Sequence, residues 1–581
     1  MIARTRDRCE RGPQASRGRD RPTADVIVVG AGAAGMTAAA VAAAEGLRVT
    51  LLECAPQVGG TTAISGGMVW IPANHKMLAA GLPDSLDEAR RYLGHTVPPG
   101  GDAKALETFL ARGDEALRYL EARTALRLQP VTRYPDYYPD RPGATPGGRV
   151  LEPVPFDAAL LGRAFAALRP PLPEFMLFGG MMISRADLPH LRRAGRSLRS
   201  AWHVARLLAR HARERVAAPR GTTLVLGNAL AGRLFKSVLD LGVGVRTGVA
   251  VQALRLDGSR VAGVEVSDDG RRESLAATRA VILATGGLSH AADLRARFVP
   301  PLAGTLTATV GSSEVPCGAR LGLATGARLS DSQAQQAFWV PASTFTRADG
   351  SAGVYPHTVS ERAKPGLIAV DRRGRRFVNE ALSYHEFVRA QLRAGPEAVP
   401  AWLVCDRAFL WRYGLGRVKP FALSVERDVS SGYLRRAPAL PALARILGLP
   451  ERDFVATVEA FNADARRGLD TQFGRGGDIY QRHLGDADHG PNPCVAPIES
   501  APYYAVAVQP ADLGMAAGLA TDARARVLAA DGAPIPGLYA CGNDMQSVMN
   551  GAYPGPGITL GPALVFGYLA ARDAARQASA R

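Results

Sequence analysis

The sequence predicts an α/β protein in which a discontinuous dinucleotide-binding domain of the Rossmann type carries an inserted α+β cap domain. Three observations predict it. Asp25 to Glu53 reads as strand, glycine turn, helix and second strand, within the length a βαβ unit needs. Val281 to Gly287 reads as a buried strand opening into another glycine turn, and Gly537 to Asn543 repeats that pattern near the C terminus. Between the last two, residues 300–495 lose the glycine signatures, and prolines and aromatic residues interrupt helical segments. The expected organisation is a first part of the nucleotide domain over 24–299, a cap over 300–499 and a second part over 500–581. Residues 1–23 are basic, without an apolar core or a small-residue cleavage site, and read as a disordered tail rather than a signal peptide.

Composition limits the function classes. With 581 residues the chain exceeds what one core usually serves. At 47% hydrophobic and 21% charged it is an ordinary globular composition, and no apolar run reaches bilayer-spanning length. A net charge of +17 suits nucleic acid or anionic lipid, but the basic residues are not interleaved with aromatics in any nucleic-acid module. Six cysteines without a CxxC support neither a zinc site nor a disulfide framework, and no metal is expected. The expected location is cytoplasmic, with peripheral contact at the inner face of a membrane as an alternative.

In the first unit Gly30 permits the tight turn, Gly32 lets backbone N–H groups approach a pyrophosphate, and Gly35 lets helix and strand pack closely. Ala33 and Ala34 open the helix whose N terminus faces the phosphates. Glu53 closes the second strand at the spacing of a ribose-hydroxyl acceptor. The next loop, with Gly60, Thr61, Thr62, Ser65, Gly66 and Gly67, is too rich in glycine and hydroxyls for a core helix and suits a flat polar ring system, such as a flavin, that backbone must approach closely. It contains no histidine, so attachment is expected to be non-covalent. Residues 82–128 are helical in pattern. Tyr134-Pro135-Asp136-Tyr137-Tyr138-Pro139 is a rigid loop with phenols to present, or a packed aromatic loop.

Phe175 to Ile183 is short and apolar. Leu191 to Arg215 reads as one basic helix, with Leu191, Ala194, Leu198, Trp202, Ala205 and Leu208 at helical spacing and arginines elsewhere, either a surface helix or an interfacial anchor on anionic lipid. A helix over Gly227 to Leu241 leads into a hairpin of Val249 to Leu256 and Val261 to Val266. The strand ending at Ala284, Thr285 and Gly286 resembles the second nucleotide-contacting signature of two-dinucleotide-binding flavoproteins, and that resemblance favours FAD over NAD. In the cap, Asp371 to Phe377 is a hairpin turn, followed by Val378-Asn379-Glu380-Ala381-Leu382-Ser383-Tyr384. Gly542 and Asn543 end the last strand, and Ala552 to Gly561, with Pro556, Gly557 and Leu560, forms a loop at the start of the final helix with N–H groups free to face the cofactor.

The N-terminal glycine turn, GGTTAISGG, Tyr-Pro-Asp-Tyr-Tyr, NEALSY and above all YPGPGITLG resemble the FAD-dependent 3-ketosteroid 1-dehydrogenases, within the wider fumarate reductase and succinate dehydrogenase flavoprotein family. The likeness runs from Asp25 onward. It implies that Tyr553 and Gly557 hold the C3 carbonyl, that Tyr384 takes the C2 proton and that Tyr137 supports it; for a further pocket aromatic it offers Tyr355, with Val354 aligning equally well. Ser383 stands where that family has proline, and the 170–215 segment is longer than in its shorter members. The implied reaction introduces a C1–C2 double bond into a 3-ketosteroid, and the electron acceptor is unspecified.

Such a desaturation needs an electrophile on the carbonyl oxygen, a base for the α-proton and a hydride acceptor at the β-carbon. Tyr553 O–H and Gly557 N–H supply the first, worth about 3–4 kcal/mol per donor. Ionising Tyr384 from a pKa of about 10 costs about 4 kcal/mol at neutral pH, so a hydrogen bond from Tyr137 or a nearby positive dipole is required, and an alkaline optimum follows. The rival is a fumarate or enoate reductase, which clamps a dicarboxylate with arginine and histidine. Here Tyr553 to Gly557 is uncharged, and Phe338-Trp339-Val340-Pro341 stands in place of that family's His-Pro-Thr. A non-catalytic flavin- or lipid-binding protein is the remaining alternative.

Overall fold

The computed structural model describes residues 24–330, 334–358 and 360–577; the tail expected over 1–23 lies outside them. Ala24–Val29 runs parallel between Val49–Glu53 and the end of Arg271–Leu283. Val26, Ile27 and Val28 are fully buried, as an unbroken apolar run covered on both faces should be. Gly244–Thr247 extends this sheet beyond Val49–Glu53. Pro534–Ala540, from the far end of the chain, pairs in parallel with Arg271–Leu283 at Val281↔Leu538 and Leu283↔Ala540. The helices Ala33–Ala44 and Leu560–Arg576 pack on each other. Small residues let them approach, since a Cβ on Gly567 would lie 2.8 Å from the Ala34 carbonyl oxygen.

A second, antiparallel sheet has the order Ala352–Pro356, Ala337–Thr346, Tyr503–Met515, Ala401–Asp406, Leu367–Val370. Tyr503–Met515 hydrogen-bonds into this sheet, although the division expected at 499/500 assigns it to the nucleotide domain. It brings residues from either side of the 407–500 segment into one sheet.

Two elements differ from the sequence reading. The basic helix expected from Leu191 to Arg215 is two helices, Asp187–Arg193 and Leu198–Ala217. Ser197 starts the second by accepting from the Ser200 N–H, and this local cap overrides the continuous periodicity. The strand opening at Val281 begins at Arg271: Arg271–Leu283 pairs antiparallel with Arg260–Asp268 along its first half and parallel with Ala24–Val29 along its second. No glycine or proline interrupts it, so one strand serves both ladders.

Candidate active site

Three glycine turns meet at the ends of the parallel strands. Gly30 has φ +103°, and a Cβ there would lie 2.3 Å from the Ala284 carbonyl oxygen; one on Gly35 would lie 1.8 Å from the Gly30 oxygen. Only glycine fits such approaches. Gly32 is the N-cap of Ala33–Ala44 and contributes no side-chain cap, so the first helical N–H, that of Ala33, is met among the described residues only by the Thr62 hydroxyl of the next loop at this anion-favouring helix end. Nothing lies within 4 Å of a Cβ built on Gly66 or Gly286, so the loop and the second turn border open space. Thr62 Oγ1 accepts from Ala33 N at 3.0 Å, Thr61 Oγ1 accepts from Val310 N at 2.9 Å, and Ser65 Oγ donates to the Thr62 carbonyl and accepts from Gly67 N. Gly60 and Gly67 both have positive φ. Glu53 accepts from Ala31 N at 2.8 Å and from Ala55 N at 3.0 Å, which holds its carboxylate beside the first turn.

Asp544, absent from the sequence-derived set, locks the turns together. Its carboxylate accepts from Thr285 N, Thr285 Oγ1 and Gly287 N. Burial pushes its carboxyl up to about 6 against these hydrogen bonds. Gly542 lies against Ala34, and Asn543 against Gly287. The C-terminal turn, the second turn and the first turn therefore form one cradle.

The closing loop sits on the other side of GGTTAISGG. Trp70 N donates to the Gly557 oxygen at 3.2 Å and Gly561 N donates to it at 2.8 Å, while a Cβ on Gly557, at φ +97°, would lie 2.5 Å from the Met68 oxygen. Pro556 and Leu560 flank this contact. The Pro554 carbonyl accepts from Tyr137 N at 3.0 Å and from Tyr92 Oη at 2.6 Å. Asp136 pins the tyrosine loop from below, accepting from Trp70 Nε1 at 2.9 Å and from Arg149 Nη1 at 2.8 Å.

This arrangement gathers three of the four tyrosines. Tyr384 Oη donates to Tyr553 Oη at 2.8 Å. The Tyr137 ring stands edge-on to Tyr384 at 5.9 Å and stacks on Tyr553 at 5.7 Å. Tyr384 is the first residue of Tyr384–Ala394, whose N-cap Ser383 accepts from Glu386 N, so the serine that departs from the resembled motif starts the helix. Tyr355 is not brought to the trio; its ring contacts Phe175 at 5.2 Å and His357 at 5.1 Å, in the wall facing the 173–178 segment. Phe338, from the segment that stands in place of the rival family's His-Pro-Thr, and Tyr480, which no sequence pattern marks, complete the aromatic surround at 5.7 Å from Tyr553 and 4.9 Å from Tyr137.

Burial dominates the electrostatics. It raises Tyr384 and Tyr137 well above the ordinary phenol value and pushes Tyr553 up to about 12. An interaction with Tyr137 opposes this rise at Tyr384. Burial also pushes His385 down to about 3, so its ring is neutral. Its Nδ1 accepts from Trp339 N, so Nε2 carries the proton and donates to Gln335. The site is thus a neutral, proton-donating surround beside a nucleotide cradle, which defines an oxidoreductase of the dinucleotide-dependent class.

Comparison with known proteins supplies the family. A model described as an FAD binding domain matches residues 25–560. The chain is 38% identical to the 3-oxosteroid 1-dehydrogenase of Mycolicibacterium smegmatis over 96% of its length and 98% of that protein's. It is also 38% identical to the 4-oxocyclohex-2-ene-1-carboxylate 5-dehydrogenase of Sinomonas cyclohexanicum, over 96% and 94%. The crystal structure of 3-ketosteroid delta1-dehydrogenase from Sterolibacterium denitrificans, in complex with 1,4-androstadiene-3,17-dione, superposes with a TM-score of 0.88 at 36% identity, covering 95% of this chain and 99% of that one. The chain belongs to the FAD-binding family that contains these ketone dehydrogenases, and it is a flavin-dependent dehydrogenase. The cradle fits FAD: a helix N terminus with no side-chain cap from Gly32, open glycine turns and the Glu53 carboxylate held beside the first turn are present together.

Proposed function

We propose that this enzyme introduces a C1–C2 double bond into a 3-ketosteroid. The carrying observation is the 2.8 Å contact between Tyr384 and Tyr553 over the Gly557 loop, with no guanidinium in the trio's ring and hydrogen-bond contacts among the described residues. Tyr553 O–H and Gly557 N–H polarise the ketone, which acidifies the adjacent C2 hydrogens. Tyr384 removes one of them as phenolate, with Tyr137 as the remaining donor to its oxygen, because Tyr553 must keep its proton for the ketone. Bound FAD would supply the acceptor for the C1 hydride. Gly30, Gly32, Ala33, Ala34, Gly35 and Glu53 would hold its adenosine diphosphate half, with Ala284, Thr285, Gly286, Gly542 and Asn543. Gly60 to Gly67, Pro556, Gly557 and Leu560 would hold the ring. In this reading the FAD domain is discontinuous and the second sheet belongs to the cap.

One observation favours a second substrate class, a ring keto acid. Arg185 lies over the Tyr134 ring at 4.6 Å, and its buried Nη1 has no hydrogen-bond partner among the described residues. A carboxylate could be received there, in keeping with the name of the Sinomonas relative. Anaerobic mixing with androst-4-ene-3,17-dione and with 4-oxocyclohexanecarboxylate decides between them. Bleaching of the flavin by the steroid alone supports the proposal, whereas bleaching by the keto acid alone overturns the steroid assignment.

We also infer a peripheral contact with anionic lipid. No helix among the described residues is long and apolar enough to cross a membrane. Leu198, Trp202 and Leu423 are 91%, 73% and 96% exposed. The first two lie on a helix rich in arginine, and the loop carrying Leu423 is tied to the same insertion through Lys419 and the Met176 carbonyl. Apolar tips on a cationic support suit a headgroup layer.

A further inference from the structure

The proposed chemistry sets a positional demand that the phenols cannot meet by themselves. Tyr384 and Tyr553 stand 169 residues apart in the chain, and the 2.8 Å contact between their hydroxyls joins them directly. That bond would be given up in the reaction, because Tyr553 O–H turns to the ketone and Tyr384 must face C2. Another contact has to hold the helix of the base against the loop of the carbonyl donor, since a misplacement of about 1 Å can cost about 10²-fold in rate.

His385 stands where such a hold is needed. It is the second residue of Tyr384–Ala394, fully buried, with its ring 5.6 Å from that of Tyr553. Its two nitrogens bind different segments. Nδ1 accepts from Trp339 N, on the strand Ala337–Thr346, at 3.2 Å, and Nε2 donates to the Gln335 side-chain oxygen. Residues 334–336 are in turn seated on the chain that leads into Tyr553. A Cβ on Gly551, at φ +78°, would lie 1.9 Å from the Gln335 carbonyl oxygen, so only glycine allows this approach. Ala334 N donates to Asn550 Oδ1 at 2.8 Å, and Asn550 Nδ2 donates to the Pro98 and Pro99 carbonyls at 3.1 and 3.0 Å. On the other side the Gln336 carbonyl accepts from Ala516 N at 2.8 Å, just past the strand Tyr503–Met515. A line of contacts therefore runs from Tyr384 through its neighbour His385 and Gln335 to Gly551, two residues before Tyr553.

The residue type fits the task. An imidazole with one protonated nitrogen offers an acceptor and a donor at separate corners of one rigid ring. Burial, which pushes His385 down to about 3, keeps it in that state, and a second proton would set an N–H against that of Trp339. The charged neighbours on the same helix, Glu386 and Arg389, are paired with each other at 2.6 Å and act in opposite directions on the ring.

We propose that His385 is a positioning residue: through Trp339 and Gln335 it fixes the helix of Tyr384 against the loop of Tyr553, and so sets how base and carbonyl donor meet the substrate. The inference rests on the proposed desaturation, and the two fail differently. If the ketone does not bleach the flavin of the unmodified enzyme, the desaturation fails and this clamp falls with it. If it does, two variants test the clamp alone.

Gln335→Leu cuts the bond from its half-buried end, outside the tyrosine trio. His385→Asn is shorter, so it keeps an acceptor for Trp339 N and loses the donor to Gln335. Anaerobic flavin reduction by androst-4-ene-3,17-dione reads both. Each variant should keep its flavin and its apparent substrate affinity and reduce at about one tenth of the unmodified rate. Because both remove the same bond, the double variant should be no slower than His385→Asn alone. An unchanged rate in Gln335→Leu, or losses that multiply in the double variant, would overturn the proposal. A fall in substrate affinity equal to the fall in rate would assign the pair to structure alone and overturn it as well. If His385→Asn does not bind flavin, Gln335→Leu decides: a slower reduction at unchanged affinity sustains the proposal, and an unchanged rate refutes it.

Discussion

Replacing Tyr553 by phenylalanine removes a single oxygen from the centre of the proposed site and leaves its shape. The ring keeps its contacts with Tyr137 and Phe338, both at 5.7 Å, and with His385 at 5.6 Å. The closing loop is held by backbone hydrogen bonds at Gly557 and Pro554, which do not involve the phenol, so flavin should remain bound. Two losses follow. Tyr384 Oη loses its 2.8 Å partner, at a cost of about 1–3 kcal/mol in stability if the hydroxyl stays unpaired. The ketone loses one of two donors, and a donor of this kind is worth about 3–4 kcal/mol in the transition state, or a factor of about 10²–10³ in turnover. Anaerobic single-turnover reduction of the flavin by androst-4-ene-3,17-dione reads the second loss directly. A fall in the reduction rate with little change in apparent substrate affinity is the expected result. An unchanged rate, with flavin bound, would refute the role of Tyr553 as carbonyl donor and the oxyanion reasoning with it.

Four further outcomes are expected. Gly557→Ala places a methyl 2.5 Å from the Met68 oxygen at a backbone φ of +97°, so it should lose bound flavin on gel filtration; retained flavin and full activity would show that the loop yields. Asp544→Ala leaves two N–H groups and the Thr285 hydroxyl unpaired between the turns and should lower Tm and weaken FAD binding together, at about 1–3 kcal/mol for each buried donor left unpaired. Because the Tyr553 phenol is raised from 10.0 to about 12, the folded state favours its neutral form. That contribution is complete below pH 10 and is lost as pH rises through about 12, up to about 3 kcal/mol; denaturant unfolding across this range should show a loss that Tyr553→Phe reduces. Sedimentation with anionic vesicles should capture the protein in low salt and fail for a Leu198→Glu, Trp202→Glu variant, and equal capture of both would remove that helix from any lipid contact.

The parts of the fold that were legible in the sequence are those where local chemistry and tertiary role coincide. The glycines at 30, 32 and 35 are required by close backbone approaches within one short unit, so their spacing carries the turn by itself. The C-terminal strand at 534–540 was readable as a strand, and the matching glycine turn pointed to the same sheet. The break at Ser197 was not readable, because the apolar stripe continues across it and only the side-chain cap reveals the second helix. The strand Tyr503–Met515 pairs with strands from before the expected division at 499/500, since returning glycines mark turns but not which sheet a strand joins.

The same distinction holds at the site. Tyr137, Tyr384 and Tyr553 lie in segments with unusual composition, whereas Tyr480 lies in ordinary helix sequence and reaches the cluster only through packing. Asp544 follows the predicted turn by one residue, and its role depends on a partner at Thr285 that no local pattern announces. Tyr355 was chosen by resemblance, and it packs against Phe175 and His357 instead of the trio.

The most direct test uses a 3-ketosteroid carrying deuterium at C1 and C2, mixed anaerobically with the enzyme and with Tyr384→Phe. The account predicts that the flavin bleaches in the unmodified enzyme with an isotope effect from C1, and that the C2 deuterium washes into solvent through Tyr384 and not in the variant. Bleaching that proceeds equally in Tyr384→Phe, or C2 deuterium lost at the same rate without that phenol, would contradict it.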